Sequence, residues 1–332
     1  MVVKERFKEI DLAKGLAIFL VVVGHIVARQ PYPSGNEWYT TLKFLIYKFH
    51  MPFFMFISGF VMLYSYKSVN SILEYVTYVK NKFLRLMVAF FFFGIIVGIS
   101  KYALRNYMYI DNVTANPIQD YINLLINPMH SYSASLWYVY VLFIYFIIIP
   151  PILYLIRGKL EILLFLGLVV HFLPAPNYFA IDLTREYLFV FSLGMLCSRK
   201  VKAAFDLVEK YRLFFIICFV VSFALAFLPI QEEISKLIIG CCSIPAIFSI
   251  IRFKFFSKPN FWNMLGRFTF PIYLMNTIAI GFAKGVLFKF VIWDGINFLF
   301  FAPILLISGL FVPIFIKKQI LARNKLIDSF VA

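Results

Sequence analysis

Asp11-Leu12-Ala13-Lys14-Gly15, followed by an apolar run that closes on Gly24-His25, is the stretch from which the rest of the chain is read. Lys14 and His25 are eleven positions apart. At about 100° per residue that is about three turns plus 20°, so both side chains share one face of a helix. Asp11, three residues before Lys14, belongs to the same face. The residues between, from Leu16 to Val23, are almost all aliphatic. Charge in hydrocarbon is costly, so an apolar helix with an ionisable group at each end of one stripe reads as a membrane segment whose polar face has a use. The rise of about 1.5 Å per residue separates Lys14 from His25 by roughly 16 Å, about half a bilayer core. The plainer alternative is that Lys14 snorkels to one surface and His25 sits near the other.

Composition agrees with a membrane assignment. The 332 residues are 62% hydrophobic and only 14% charged, with a mean hydropathy of +0.87, whereas a soluble domain carries about a quarter charged residues. The expected fold is an all-α membrane protein, one polytopic domain over 1–332. Ten apolar stretches stand near 11–29, 43–66, 83–104, 135–156, 160–174, 184–199, 211–229, 234–251, 268–289 and 297–316. The fifth and sixth are shorter than the usual span, and losing both leaves eight with the same end topology.

The net charge of +16 is unevenly placed. Lys4, Arg6, Lys8 and Lys14 open the chain, and Lys67, Lys80, Lys82 and Arg85 follow the second stretch. Arg157 and Lys159, then Arg199, Lys200, Lys202, Lys210 and Arg212, then Arg252, Lys254, Lys258 and Arg267 mark alternate connections, and Lys317, Lys318, Arg323 and Lys325 the tail. The intervening segments carry Asp111, Asp120, Asp182, Glu232, Glu233 and Asp294 instead. This is the positive-inside pattern, and it predicts both termini in the cytoplasm. The basic charge is thus topological and gives no reason to invoke a nucleic-acid partner.

Cys197, Cys218, Cys241 and Cys242 fall in or beside apolar stretches and form no CxxC pair, so neither a metal site nor a disulfide framework is indicated. The first stretch lacks a small residue three before Ala28, which with its ionisable face favours a retained helix over a signal peptide. The largest connection, Leu104 to Ser135, contains Pro117-Ile-Gln-Asp-Tyr-Ile-Asn-Leu-Leu-Ile, an amphipathic helix with Asn116 as its N-cap and Pro117 at its first position. That helix either lies on the membrane or walls an acceptor site. Asn112-Val-Thr114 matches a glycosylation sequon.

Asp-x-x-Lys-Gly, the aliphatic run and Gly24-His25 resemble the first membrane helix of the acyltransferase-3 family. Further motifs follow in the family's order: Phe49-His50-Met51-Pro52-Phe53-Phe54-Met55-Phe56-Ile57-Ser58-Gly59-Phe60, Lys82-Phe-Leu-Arg85, Leu136-Trp137-Tyr138 and Phe270-Pro271-Ile272-Tyr273-Leu274. The resemblance spans nearly the whole chain and is nearest in flavour to the fucose 4-O-acetylase-like branch. It implies a multi-pass enzyme of the bacterial cytoplasmic membrane, in contact with membrane lipid. Such an enzyme moves an acyl group from cytoplasmic acetyl-CoA, or another acyl-CoA, to a hydroxyl of a surface polysaccharide or its lipid-linked precursor.

Residue by residue, the catalytic candidates are His25, Lys14 and Asp11. Imidazole titrates near neutrality and suits removal of a proton from a sugar hydroxyl. The resemblance makes His25 that base, or a brief carrier of the acyl group, with Asp11 setting the charge and orientation of Lys14. The donor-binding candidates are Lys14, Lys82 and Arg85. Lys82 and Arg85 share a helix face at the mouth of the third stretch and suit the phosphates of coenzyme A, although basic residues are expected at cytoplasmic ends in any case. The family usually has Arg where this chain has Lys14 and Lys82, and Lys cannot make the bidentate fork.

The substrate-side candidates are His50, Ser58, Trp137, Tyr273 and Asn276. His50, expected at a depth similar to His25, orients an acceptor or bonds a neighbouring carbonyl. Pro52 is expected to kink the second stretch, and Ser58 either lines the cavity or back-bonds to its own helix. Trp137 and Tyr138 either belong to an aromatic belt or stack on a sugar. Asn276 stands where family members often have a second His. It cannot act as a base, which argues against a two-histidine mechanism through this span. Pro271 is expected to kink the ninth stretch near its cytoplasmic end. The alternative of another class is a glycan export partner without acyl-transfer chemistry. It predicts broken helices paired between related halves, and no internal repeat is visible.

Overall fold

The computed structural model describes residues 7–27, 32–66, 69, 71–107, 113, 116–257, 260–324, 328 and 331. Lys4, Arg6, Ala28, Lys67, Asp111, Asn112, Thr114, Lys258 and Lys325 lie outside them. Among the described residues the chain is helical and has no strand. The helices are α1 (Lys8–His25), α2 (Glu37–Ser65), α3 (Ile72–Leu104), α4 (Pro117–Ile126), α5 (Trp137–Leu155), α6 (Leu160–His171) and α7 (Ile181–Arg199). They continue with α8 (Val201–Lys210), α9 (Arg212–Ser222), α10 (Glu232–Ile250), α11 (Lys254–Ser257), α12 (Asn260–Arg267), α13 (Thr269–Leu287) and α14 (Phe298–Gln319).

Each of the ten expected apolar stretches falls on one of these helices, but the stricter count is smaller. Among the described residues, six segments are long and apolar enough to cross a membrane: α2, α3, α5, α10, α13 and α14 with their flanking turns. A seventh is counted if α8 and the α9 segment, bent by 80°, form one broken span. α6 is apolar but has only 12 residues, about 18 Å of helix against about 30 Å of hydrocarbon. α1 and α7 have the length, but α1 carries Lys8, Glu9, Asp11 and Lys14, and α7 carries Asp182, Arg185, Glu186 and Arg199.

Local sequence explains several boundaries. Ser71 Oγ accepts from Glu74 N at 3.2 Å, and the Ser-x-x-Glu spacing is that of a capping box at the start of α3. Asn116 caps α4 as expected, its Oδ1 accepting from Ile118 N and Gln119 N. α4 then buries Asp120 and Leu124. Tyr102 of α3 donates to Asp120 Oδ2 at 2.5 Å, and Leu124 lies over Gly94. The expected kink at Pro271 takes another form. The chain turns at Phe268, leaving Pro271 in the first turn of α13, where its missing N–H costs little. α2 runs unbroken through Pro52, which fits against Gly240 of α10.

α2 is the central helix, with α1, α7 and α10 around it. Two crossings bring backbones into contact. A Cβ on Gly59 would stand 1.9 Å from the Phe191 carbonyl oxygen, and one on Gly194 2.0 Å from that of Phe56, so α2 and α7 touch through glycine on both sides. α1 and α12 do the same: a Cβ on Gly15 would stand 2.1 Å from the Trp262 oxygen, and one on Gly266 2.0 Å from the Asp11 oxygen. Small residues at such crossings are how helices approach closely where lipid offers no hydrophobic drive.

The cation-rich connections gather at the Lys14 end of the bundle. Phe7 packs on Tyr64 and Phe205, Arg252 joins Glu9 to Glu209, and Arg199 donates to the Gly158 carbonyl. The acidic segments gather at the His25 end. There Asp294 Oδ1 accepts from Ser34 N, Glu232 pairs with Lys48 and Lys236, and Arg185 pairs with Glu233.

Candidate active site

α1 is one continuous helix from Lys8 to His25, so the shared face of Asp11, Lys14 and His25 is realised. His25 is its last residue rather than an interior one. α2 begins at Glu37, earlier than its hydropathy suggests. Tyr47, one turn before His50, donates to the carbonyl of Gly24 at 3.1 Å. His50 itself is buried, tilts against the Tyr47 ring and donates Nδ1–H to the Ile46 carbonyl of its own helix at 2.8 Å.

The partner of His25 is Asn276. Its Oδ1 lies 2.8 Å from His25 Nδ1. Asn276 is fully buried in α13, and its Nδ2 donates to the carbonyls of Ile272 at 2.9 Å and Tyr273 at 2.8 Å. Flipping the amide would set its oxygen against those two carbonyl oxygens, so the network fixes Oδ1 toward the histidine. An oxygen acceptor there requires the proton on Nδ1. In the neutral ring of the half-buried His25 this puts the lone pair on Nε2.

From Asn276 the contacts continue through the other substrate-side candidates. Tyr273 donates through its hydroxyl to the Ser135 carbonyl, and Ser135 Oγ lies 3.4 Å from Thr277 Oγ1. The Tyr273 ring meets Tyr138 edge-on at 5.1 Å. Ser58 back-bonds to the Phe54 carbonyl at 2.8 Å, so at the 2.6 Å contact between hydroxyls Tyr138 is the donor and Ser58 Oγ the acceptor. Of the two roles set out for Ser58, the back-bond to its own helix is the one seen. Trp137 is buried and stacks on Tyr187 at 5.4 Å, which covers one face of its indole and removes it from a lipid-facing belt. His25, Asn276, Tyr273, Tyr138 and Ser58 thus form one connected line across α1, α13, α5 and α2.

The basic candidates stand apart from that line. Lys14 is half-buried on α1, and Asp11 is buried where α1 meets α12. Lys82 is half-buried, with Nζ over the rings of Phe146 at 4.2 Å and Tyr78 at 5.4 Å, and Arg85, one turn on, is exposed. Tyr78 in turn packs on Tyr66 beyond the end of α2, which puts this pair at the Lys14 end.

Two features escaped the sequence reading. Asn276 is noted there for the base it does not supply, whereas the fold makes it the group that orients His25. Tyr39, Lys43 and Tyr47, four apart on α2, reach the end of α1. Their spacing is visible in the sequence, but their backbone targets are not.

The acyltransferase domain family matches residues 7–318. Among curated proteins, the nodulation protein NolL of Mesorhizobium japonicum is 25% identical over 227 residues, 67% of this chain and 56% of its own length. Its namesake in Sinorhizobium fredii is 44% identical over 52 residues, 15% of this chain and 14% of that protein. The chain therefore matches little more than half the length of the first relative. No solved structure matches it. With a family match over nearly all of its length, the chain belongs to the acyltransferase-3 family.

Proposed function

We propose that this protein is a membrane O-acyltransferase, in the manner of fucose 4-O-acetylases. It takes an acetyl group from cytoplasmic acetyl-CoA and esterifies a hydroxyl on a surface polysaccharide or its lipid-linked precursor. The observation that carries the reading is the His25–Asn276 pair, which in the neutral imidazole places the free lone pair on Nε2 of a half-buried ring. His25 Nε2 takes the acceptor hydroxyl proton as that oxygen attacks the thioester carbonyl. The C–S bond breaks, and the imidazolium returns the proton to the departing thiolate. Lys14, Lys82 and Arg85 hold the donor phosphates at the other end, and Asp11 sets Lys14. The roughly 16 Å between Lys14 and His25 along α1 is within reach of an extended pantetheine arm. His50, Ser58, Trp137 and Tyr273 border the acceptor side.

In this reading all ten apolar helices cross the bacterial cytoplasmic membrane. The Lys14 end and both termini are cytoplasmic, consistent with the cations gathered there. The test is the O-acetyl content of surface polysaccharide in deletion cells carrying wild type, His25→Ala or Lys14→Ala at matched membrane levels. Loss of ester in the His25 variant is expected. Acetylation unchanged even in the deletion refutes the reading, and glycan that fails to reach the surface in the deletion points to export instead.

A further inference from the structure

α1 ends in an unusual way. Its last carbonyls need partners, and within a membrane bundle water does not supply them. No glycine follows His25 to close the helix; the chain continues Ile26-Val27. The partners come from one stripe of α2. Tyr39 Oη donates to the Val23 carbonyl at 2.8 Å and accepts from Val27 N at 3.1 Å. Tyr47 Oη donates to the Gly24 carbonyl at 3.1 Å. Lys43 Nζ donates to the Val27 carbonyl at 2.7 Å.

Lys43 is 7% exposed, a cation buried at the negative end of the α1 dipole. Its Nζ also lies 5.3 Å from the ring centroids of Tyr32 and Tyr47. Gly24 belongs to the same device, because a Cβ there would stand 2.6 Å from the Tyr47 ring. The ring of His25 is held by Asn276, and the backbone on either side of it, at Val23, Gly24 and Val27, is held by α2.

We infer that Lys43 is a positioning residue for His25: with Tyr39 and Tyr47 it clamps the carboxyl end of α1 and so fixes where the imidazole stands. Burial of a lysine whose ammonium meets a backbone carbonyl is hard to explain by packing alone, since an apolar residue would fill the space without desolvating a charge. The catalytic part of this inference rests on the proposed acyl transfer; the clamp itself does not.

Two measurements on the full chain in lipid nanodiscs separate them. The first is amide hydrogen exchange of a peptide covering residues 20–27. Lys43→Met should speed its exchange at least threefold, and Lys43→Arg should restore most of the protection. Lys236→Met, which removes a cation from the ion pairs of α10 at the same end, should leave it unchanged. The second is acetyl transfer from acetyl-CoA to purified surface polysaccharide. Per folded protein, Lys43→Met should lower kcat by about 10- to 100-fold with the acetyl-CoA KM within about twofold, the signature of a misplaced reacting group. Lys43→Arg should recover most of kcat, and Tyr47→Phe serves as a second variant where Lys43→Met does not fold. Unchanged exchange in both Lys43→Met and Tyr47→Phe overturns the clamp. Faster exchange with unchanged kcat overturns the positioning role, and wild type without transfer refutes the proposed function while the exchange result still decides the clamp.

Discussion

Replacing Asn276 tests the tautomer argument at its source. Asn276→Ala removes the oxygen 2.8 Å from His25 Nδ1 and the two N–H groups that hold it there. The imidazole then has no partner to fix its tautomer or its ring plane. A hydrogen bond lost in a buried site, with the other partner left unsatisfied, costs about 1–3 kcal/mol. Spent on the barrier, that is about 5- to 150-fold in rate. Because the substituted group touches the histidine and not the donor, the loss should fall on kcat and leave the acetyl-CoA KM unchanged. The assay is initial-rate transfer of radiolabelled acetyl from acetyl-CoA to purified surface polysaccharide, normalised to folded protein. Transfer within twofold of wild type, in a preparation where His25→Ala is inactive, refutes the claim that Asn276 orients the base.

Further outcomes follow from other contacts. Gly15→Ala drives a Cβ against the Trp262 carbonyl oxygen, where the wild-type approach leaves 2.1 Å. It should cost about 3 kcal/mol or more, seen as loss of folded protein in the membrane and a lower melting temperature. Tyr138→Phe removes the donor to Ser58 and should cost about 1 kcal/mol. Most of that cost should vanish in a Ser58→Ala background, as a double-mutant cycle of melting temperatures would show. Lys82→Ala and Arg85→Ala should each raise the acetyl-CoA KM several-fold with kcat little changed, because their proposed role is uniform binding of the donor phosphates.

What the sequence made legible was local or periodic. The face shared by Asp11, Lys14 and His25 needed only the helical period, and Asn116-Pro117 announced the start of α4. Gly15 and Gly59 stood in the quoted motifs, but their reason lay elsewhere in the chain. Gly15 faces Trp262 and Gly266 of a helix sited in what reads as a basic connection, and Gly59 faces Phe191 of one of the two doubtful stretches. Hydropathy began the second span near residue 43 because Glu37 to Lys43 are polar and aromatic. Those first two turns of α2 supply Tyr39 and Lys43, two of the three side chains that reach the end of α1. The fit of Asn276 to His25, 251 positions apart, has no local signature at all. An amide in place of an expected imidazole read as a loss, and only the fold turns it into a partner.

The central claim, that His25 is the base of an acyl transfer to a sugar hydroxyl, is tested most directly with purified full-length protein in nanodiscs. It is supplied with radiolabelled acetyl-CoA and surface polysaccharide, and base-labile label on the polysaccharide is counted for wild type and His25→Ala. The account predicts ester-linked label with wild type and a loss of at least about 100-fold with the variant, the range of general-base catalysis. Equal label from equally folded wild type and variant would contradict it.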